Sequence, residues 1–96
     1  MIVRIAAKAE RDLEAIGDRI AVDNPARALG FVSELRDKCF GLADFPERFP
    51  LVPRYEAHGV RHRVHGSYLI FYRVQPEIVF HVLHGATDYA DVRFAS

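Results

Sequence analysis

The sequence predicts an α+β fold in which two helices cover one face of a three-stranded antiparallel β-meander. Three observations lead to this prediction: two segments with helical spacing, a proline-rich stretch, and three strand-like runs. The runs occupy residues 60–65, 68–74 and 77–84, separated by Gly66-Ser67 and Gln75-Pro76. Each is rich in β-branched and aromatic residues and is bounded by turn residues, as strands are. A short first strand is expected at residues 2–5.

The first helix is indicated from Lys8 onward. Its apolar residues recur at steps of four, three and four, which lines one helical face: Ala9, Leu13, Ile16 and Ile20. Polar residues occupy the rest of the cylinder: Lys8, Arg11, Asp12, Asp18 and Arg19. No good N-cap precedes this helix, and Gly17 costs about 1 kcal/mol relative to Ala. The helix therefore needs a packing partner.

Asn24-Pro25 indicates the start of a second helix, because Asn caps helices and Pro is tolerated at their first position. The apolar residues that follow again have helical spacing: Ala28, Val32, Leu35, Cys39 and Leu42. We expect this helix to span about residues 25–43 and to end before Pro46. The two helices should form an antiparallel hairpin packed on the sheet.

Residues 45–59 contain three prolines, which exclude a continuous helix or a central strand. This segment is predicted to be an ordered loop, held against the body of the protein by Phe45, Phe49 and Leu51. No repeats or linkers occur, so residues 1–96 are expected to form a single domain.

The charge balance argues against nucleic-acid binding. The 96 residues contain 13 Lys plus Arg and 13 Asp plus Glu, giving a formal net charge of zero, whereas nucleic-acid binders usually carry a basic excess. The lone Cys39 excludes an internal disulfide and suits a reducing cytosol. Neither a signal peptide nor an apolar run long enough to span a membrane is present. A cytoplasmic protein is expected.

The face used by each strand residue depends on the length of the first hairpin loop. A two-residue turn, Gly66-Ser67, places Arg61 and Arg63 on the face of Tyr68, Ile70 and Tyr72. A three-residue loop instead places them beside Leu69, Phe71 and Arg73, leaving these residues for the helices: Val60, Val64, Tyr68, Ile70, Tyr72 and Val74. We favour the three-residue loop because burying two unpaired arginines costs several kcal/mol. The register of the last strand stays open.

This order of elements resembles the RelE/ParE superfamily, the toxin halves of bacterial type II toxin–antitoxin systems. The resemblance rests on the helical hairpin with Asn-Pro at its bend, on the proline loop, and on three motifs: Gly59-Val60-Arg61, Tyr68-Leu69-Ile70-Phe71-Tyr72-Arg73 and Val82-Leu83-His84-Gly85-Ala86-Thr87-Asp88. The last motif is more similar to the ParE branch than to the RelE branch. ParE-type toxins inhibit DNA gyrase without known catalysis, RelE-type toxins cleave messenger RNA on ribosomes, and an antitoxin silences both.

The residues favour binding over cleavage. RelE-like nucleases carry Lys and Arg on the open sheet face, whereas the resemblance places Leu69 at a basic position, and both lysines lie in the helices. We therefore expect a non-catalytic, gyrase-inhibiting toxin with no cofactor. The alternatives are an endoribonuclease, or an inactive member that binds only its antitoxin. A nuclease would need an acid–base set, which could be drawn from Arg61, Arg63, His81, His84 and Tyr89.

The expected partner-binding residues combine apolar and basic side chains, with the arginines pairing with acidic residues of an antitoxin. They are Arg61, Arg63, Leu69, Phe71 and Arg73. A partner, or alternatively the proline loop and the tail, would cover the surplus of apolar residues. His58, His62 and His65 match no common zinc spacing, so no metal site is expected.

Overall fold

The computed structural model describes residues 3–74 and 78–84. Its strands are β1 (Arg4–Ile5), β2 (Val60–His65), β3 (Tyr68–Arg73) and β4 (Ile78–His84). Its helices are α1 (Ala7–Asp23) and α2 (Pro25–Phe40), and two single 3₁₀ turns occur at Gly41–Ala43 and Glu56–His58. The predicted α+β class and both helices are confirmed, with the second helix tightening into the first 3₁₀ turn at its end.

Within residues 3–74 and 78–84, the sheet has four strands in the order β1-β4-β3-β2. β1 pairs with β4 in parallel, and the other neighbouring strands are antiparallel. The predicted meander is confirmed in part, because the β2–β3 hairpin is described whole while residues 75–77 lie outside the described residues. The register of β4, which the sequence left open, pairs Phe71 with His81 and shifts at a β-bulge between Phe71 and Tyr72.

The principal core lies between the helices and one face of the sheet. Its buried residues are Ala9, Leu13, Ile16, Leu35, Cys39, Leu42, Tyr68, Ile70, Tyr72 and Val82. The four apolar residues predicted for α1 all pack in or against this cluster, and so do Val32, Leu35, Cys39 and Leu42 of the second helical segment. The helical spacing therefore identified the core side of both helices.

The helix ends follow the sequence signals. The Asn24 side chain accepts a hydrogen bond from the backbone N–H of Arg27 at 3.1 Å, and Pro25 occupies the first turn of α2. Ala6, at the N-cap of α1, provides no side-chain cap. Gly17 has a packing role that the pattern did not indicate: a Cβ there would lie 3.1 Å from Val32 Cγ2. Its absent side chain lets α1 approach α2 closely.

Asp12 departs from its expected place on the polar side of α1. It is 8% exposed, and its Oδ2 accepts a hydrogen bond from the backbone N–H of Val82 at 2.9 Å. Lys8 Nζ lies 2.8 Å from Asp12 Oδ1. The carboxylate tolerates burial because it is both hydrogen-bonded and ion-paired.

The favoured three-residue hairpin loop is wrong. His65 pairs directly with Tyr68, so Gly66 and Ser67 form a two-residue turn. Gly66 has φ 61°, which suits the first central position of a type II′ turn. Arg61 pairs with Tyr72 and Arg63 with Ile70, so both arginines share the face covered by the helices. Val60 and Val64, predicted for that face, lie on the opposite one.

None of the helices among the described residues is long and apolar enough to cross a membrane.

Candidate partner-binding surfaces

The face of the sheet turned away from the helices, here called the outer face, collects residues from β2 and β3. Their pairing places six side chains on it: Val60, His62, Val64, Leu69, Phe71 and Arg73. Of the predicted partner-binding set, the structure therefore brings together Leu69, Phe71 and Arg73. Arg61 and Arg63 lie on the other side.

Part of the outer face is covered by the proline loop. Val52 packs with Val60 and Phe71 in a second buried cluster, with Tyr55 and Leu69 against it. The loop also pairs with the free edge of β2: Val52 N–H donates to Val60 O at 2.8 Å, and His62 N–H donates to Pro50 O at 3.1 Å. Phe71 is fully buried in this cluster. Val64 lies beyond the end of the pairing and is 61% exposed.

His62 has an unusual environment on this face. Its Nδ1 is buried and has no hydrogen-bond partner, and its ring centroid lies 6.4 Å from that of Phe71. Burial lowers the pKa of His62, because desolvation disfavours the charged imidazolium. The neutral form of the imidazole is therefore favoured at this position.

Arg61 and Arg63 are held by backbone carbonyls on the helix side of the sheet. Arg61 Nη1 donates to Phe49 O at 2.7 Å and to Glu47 O at 3.1 Å. Arg63 Nη1 donates to Lys38 O at 3.2 Å, and its guanidinium lies 4.8 Å from the centroid of the Phe49 ring. From the sequence alone this face is unfavourable for the arginines, because no partner for them is visible there. The carbonyls of the loop and of the α2 end satisfy them instead.

A second surface surrounds Phe45, just after the 3₁₀ turn that follows α2. Phe45 was expected to hold the proline loop against the body, together with Phe49 and Leu51. Phe49 does pack against the core, and Leu51 forms an isolated antiparallel β-bridge with Arg61. Phe45, in contrast, is 77% exposed and has φ 60°. An open, largely apolar cavity of about 500 Å³ is lined by residues 45–48.

The described residues do not bring the five candidate nuclease residues together in one site. Arg61 and Arg63 lie on the helix side of the sheet, and Tyr89 lies outside the described residues. The backbone register pairs His81 with Phe71 and His84 with Tyr68, two residues whose own side chains are on opposite faces. The side chains of His81 and His84 also lie outside the described part, so their roles stay a prediction.

The described residues support neither a cysteine nucleophile nor a metal site. Burial raises the pKa of the Cys39 thiol to about 12, so this fully buried side chain stays protonated and is a poor nucleophile. Within residues 3–74 and 78–84, no group of three or more His, Cys, Asp or Glu side chains is placed to hold a metal ion.

Comparison with known proteins decides the family. The family model for the ParE toxin of type II toxin–antitoxin systems, parDE, matches residues 3–89. The chain belongs to the ParE toxin family. Membership in a ParDE system implies an antitoxin partner, and it agrees with the resemblance drawn from the ordered motifs.

A solved structure from the chromosomal ParDE toxin–antitoxin system of P. aeruginosa has the same fold. It aligns with a TM-score of 0.71 and 24% sequence identity, covering 85% of this chain and 92% of that chain. No curated protein matches this chain significantly. At this identity the structural match supports the fold, while the family model assigns the ParE branch.

Sequence reasoning missed two features. Asp12 matched the polar face of α1, and only its distance to β4 identifies it as a buried anchor. Phe45 was treated as one of several loop aromatics. Its position before Pro46 was no guide, because a residue that precedes proline is expected in the extended region, whereas Phe45 has φ 60°.

Proposed function

We propose that this chain is the toxin of a ParDE module, folded as one toxin domain, which arrests growth by binding DNA gyrase and is neutralised by a cognate antitoxin. Family membership over residues 3–89 supports the ParE branch. The observation that favours binding over catalysis is the environment of the two sheet arginines on β2.

A nuclease of this fold would need cations gathered on an open face around the scissile phosphate. Here Arg61 and Arg63 already donate to loop and helix carbonyls on the helix side. Of the six residues that β2 and β3 place on the outer face, Arg73 alone is basic. The remaining members are aliphatic, aromatic or histidine side chains, which suit contact with a polypeptide.

The antitoxin is proposed to bind the outer face around the exposed Val64 and the half-buried Leu69, and to reach the half-buried Arg73 at the other end of β3. Val64 is exposed at the β2 edge, and Leu69 is its cross-strand neighbour. An apolar antitoxin side chain would pack against this pair, while an acidic residue would approach Arg73. Phe71, which the loop buries, and Arg61 and Arg63 would contribute indirectly by holding the surface in place.

The test combines two assays on the purified toxin with expression of the toxin in cells. Inhibition of gyrase supercoiling, reversed by a molar equivalent of antitoxin, is the expected result. Expression of the toxin alone should induce the SOS response and filamentation. Cleavage of messenger RNA on ribosomes, lost when His81, His84 or Tyr89 is replaced by Ala, would instead support the nuclease. Antitoxin binding without any growth effect would indicate the inactive member.

A further inference from the structure

Phe45 has a backbone conformation that bulky side chains rarely adopt. Its φ is 60°, in the left-handed region where the Cβ of an ordinary residue crowds the backbone. The next residue is Pro46, which further restricts the conformations of the residue before it. Backbone strain of this kind persists where the surrounding structure imposes it, and it is frequent at binding sites.

The segment around Phe45 is held in place from several sides. The Tyr72 hydroxyl, on a side chain that is 1% exposed, donates to Pro46 O at 2.6 Å. Arg48 N–H donates to Phe45 O at 3.0 Å, closing a turn with Pro46 and Glu47 at its centre. Arg61 also binds Glu47 O. The ring of Phe45 is therefore presented to solvent by an ordered support.

The charges beside Phe45 indicate the kind of surface it would fit. Asp44 and Glu47 flank the Phe45-Pro46 pair, and both are exposed. Within the described part of the chain, neither carboxylate has an ion-pair partner. The nearby Arg48 guanidinium lies over the Phe49 ring, 5.2 Å from its centroid. An exposed aromatic ring between two available carboxylates complements an apolar pocket with a basic rim.

We propose that Phe45 is the anchor through which this toxin binds its protein target, inserting into an apolar pocket bordered by Lys or Arg side chains. The inference rests on the proposed function in one respect, that the toxin acts by binding a protein. The target and the antitoxin would then bind different surfaces. Tyr72 supports the Phe45 segment from the helix side of the sheet, whereas the antitoxin is assigned to the outer face.

Phe45→Gly is the informative variant, since it removes the ring and relieves the backbone conformation at the same position. Leu29→Ala is the matched control, because Leu29 is 81% exposed on α2 and takes no part in the proposal. Asp44→Lys/Glu47→Lys tests the charge complementarity separately. Each variant is expressed from an inducible promoter, with the antitoxin under separate control.

Phe45→Gly should weaken binding to the target by about tenfold or more, as loss of a binding hot spot does, and should therefore restore viable counts after induction. It should still co-purify with the antitoxin, and its thermal midpoint should not fall below that of the wild type. The double lysine variant should also lose toxicity, whereas Leu29→Ala should arrest growth like the wild type. Full toxicity of Phe45→Gly, loss of its antitoxin binding, or equal relief by Leu29→Ala would overturn the proposal.

A gyrase supercoiling assay separates this inference from the proposed function. If wild type arrests growth without affecting supercoiling while Phe45→Gly is harmless, the anchor stands and gyrase is the wrong target. If wild type and Phe45→Gly inhibit gyrase equally, the anchor is wrong and the proposed function stands. A wild-type chain that neither arrests growth nor inhibits gyrase would overturn both.

Discussion

Asp12 Oδ2 accepts a hydrogen bond from the backbone N–H of Val82 at 2.9 Å, joining residues 70 positions apart. The bond connects the first turns of α1 to β4 on the side where β1 ends after only two residues. Among the described residues, β1 pairs with Ile78 and Val79 and then gives way to α1 at Ala7, so no described strand lies beside the Val82 amide on that side. The Asp12 carboxylate accepts the hydrogen bond that a carbonyl of a neighbouring strand would otherwise accept.

Asp12→Ala should destabilise the protein by about 2 kcal/mol, because a buried N–H would be left without an acceptor. Lys8→Ala removes only the exposed ion-pair partner of the same carboxylate and should cost less than about 1 kcal/mol. Urea denaturation of the two variants checks the difference. Equal effects would show that Asp12 stabilises the fold through its ion pair with Lys8 rather than through its hydrogen bond to Val82.

Arg61→Ala should destabilise the protein by about 1–2 kcal/mol, because Arg61 is the side chain that holds Phe49 O and Glu47 O. The loop that carries Phe45 would then exchange its amide hydrogens faster. Hydrogen exchange over residues 44–52, together with urea denaturation, measures both effects. Arg54→Ala, at an exposed loop position, is the control. An Arg61→Ala chain with full stability and normal loop protection would contradict the structural role.

Gly17→Ala tests the close approach of the two helices. Helix propensity alone would favour alanine by about 1 kcal/mol, but the new Cβ would lie 3.1 Å from Val32 Cγ2. Val32 is β-branched and has little rotamer freedom in a helix, so we expect a net loss of about 1 kcal/mol. The double variant Gly17→Ala/Val32→Ala should be more stable than the sum of its single variants implies, by about 0.5 kcal/mol or more. Additive effects in denaturation would exclude this contact as the cause.

His62 should make the protein sensitive to acid. Burial lowers its pKa in the folded state below the unfolded value, so below the unfolded pKa of about 6.5 the unfolded chain binds more protons. Stability is then complete above that pH and falls as the pH decreases. His62→Phe should reduce the loss of unfolding free energy between about pH 8 and about pH 5. His58→Phe, at an exposed position, serves as the control; an unchanged slope in His62→Phe would refute the assignment.

How much of the fold could be read from the sequence differed between helices and sheet. The spacing from Ala9 to Ile20 and from Ala28 to Leu42 predicted both helices and their buried sides, because a 3.6-residue period is a local property. Asn24 and Pro25 predicted the hairpin bend for the same reason. The family was also within reach, since it rests on the order of elements and motifs along the chain.

Only the tertiary structure decided which way Arg61, Arg63 and Phe45 face. The cost of burying an arginine depends on the carbonyls around it, and those carbonyls come from Lys38, Glu47 and Phe49, distant in the sequence. Strand patterns cannot settle a register when both faces carry apolar residues, because a shift of one residue exchanges the faces. Local spacing thus determined the elements of this protein, whereas contacts between remote segments determined which of its surfaces are open to partners.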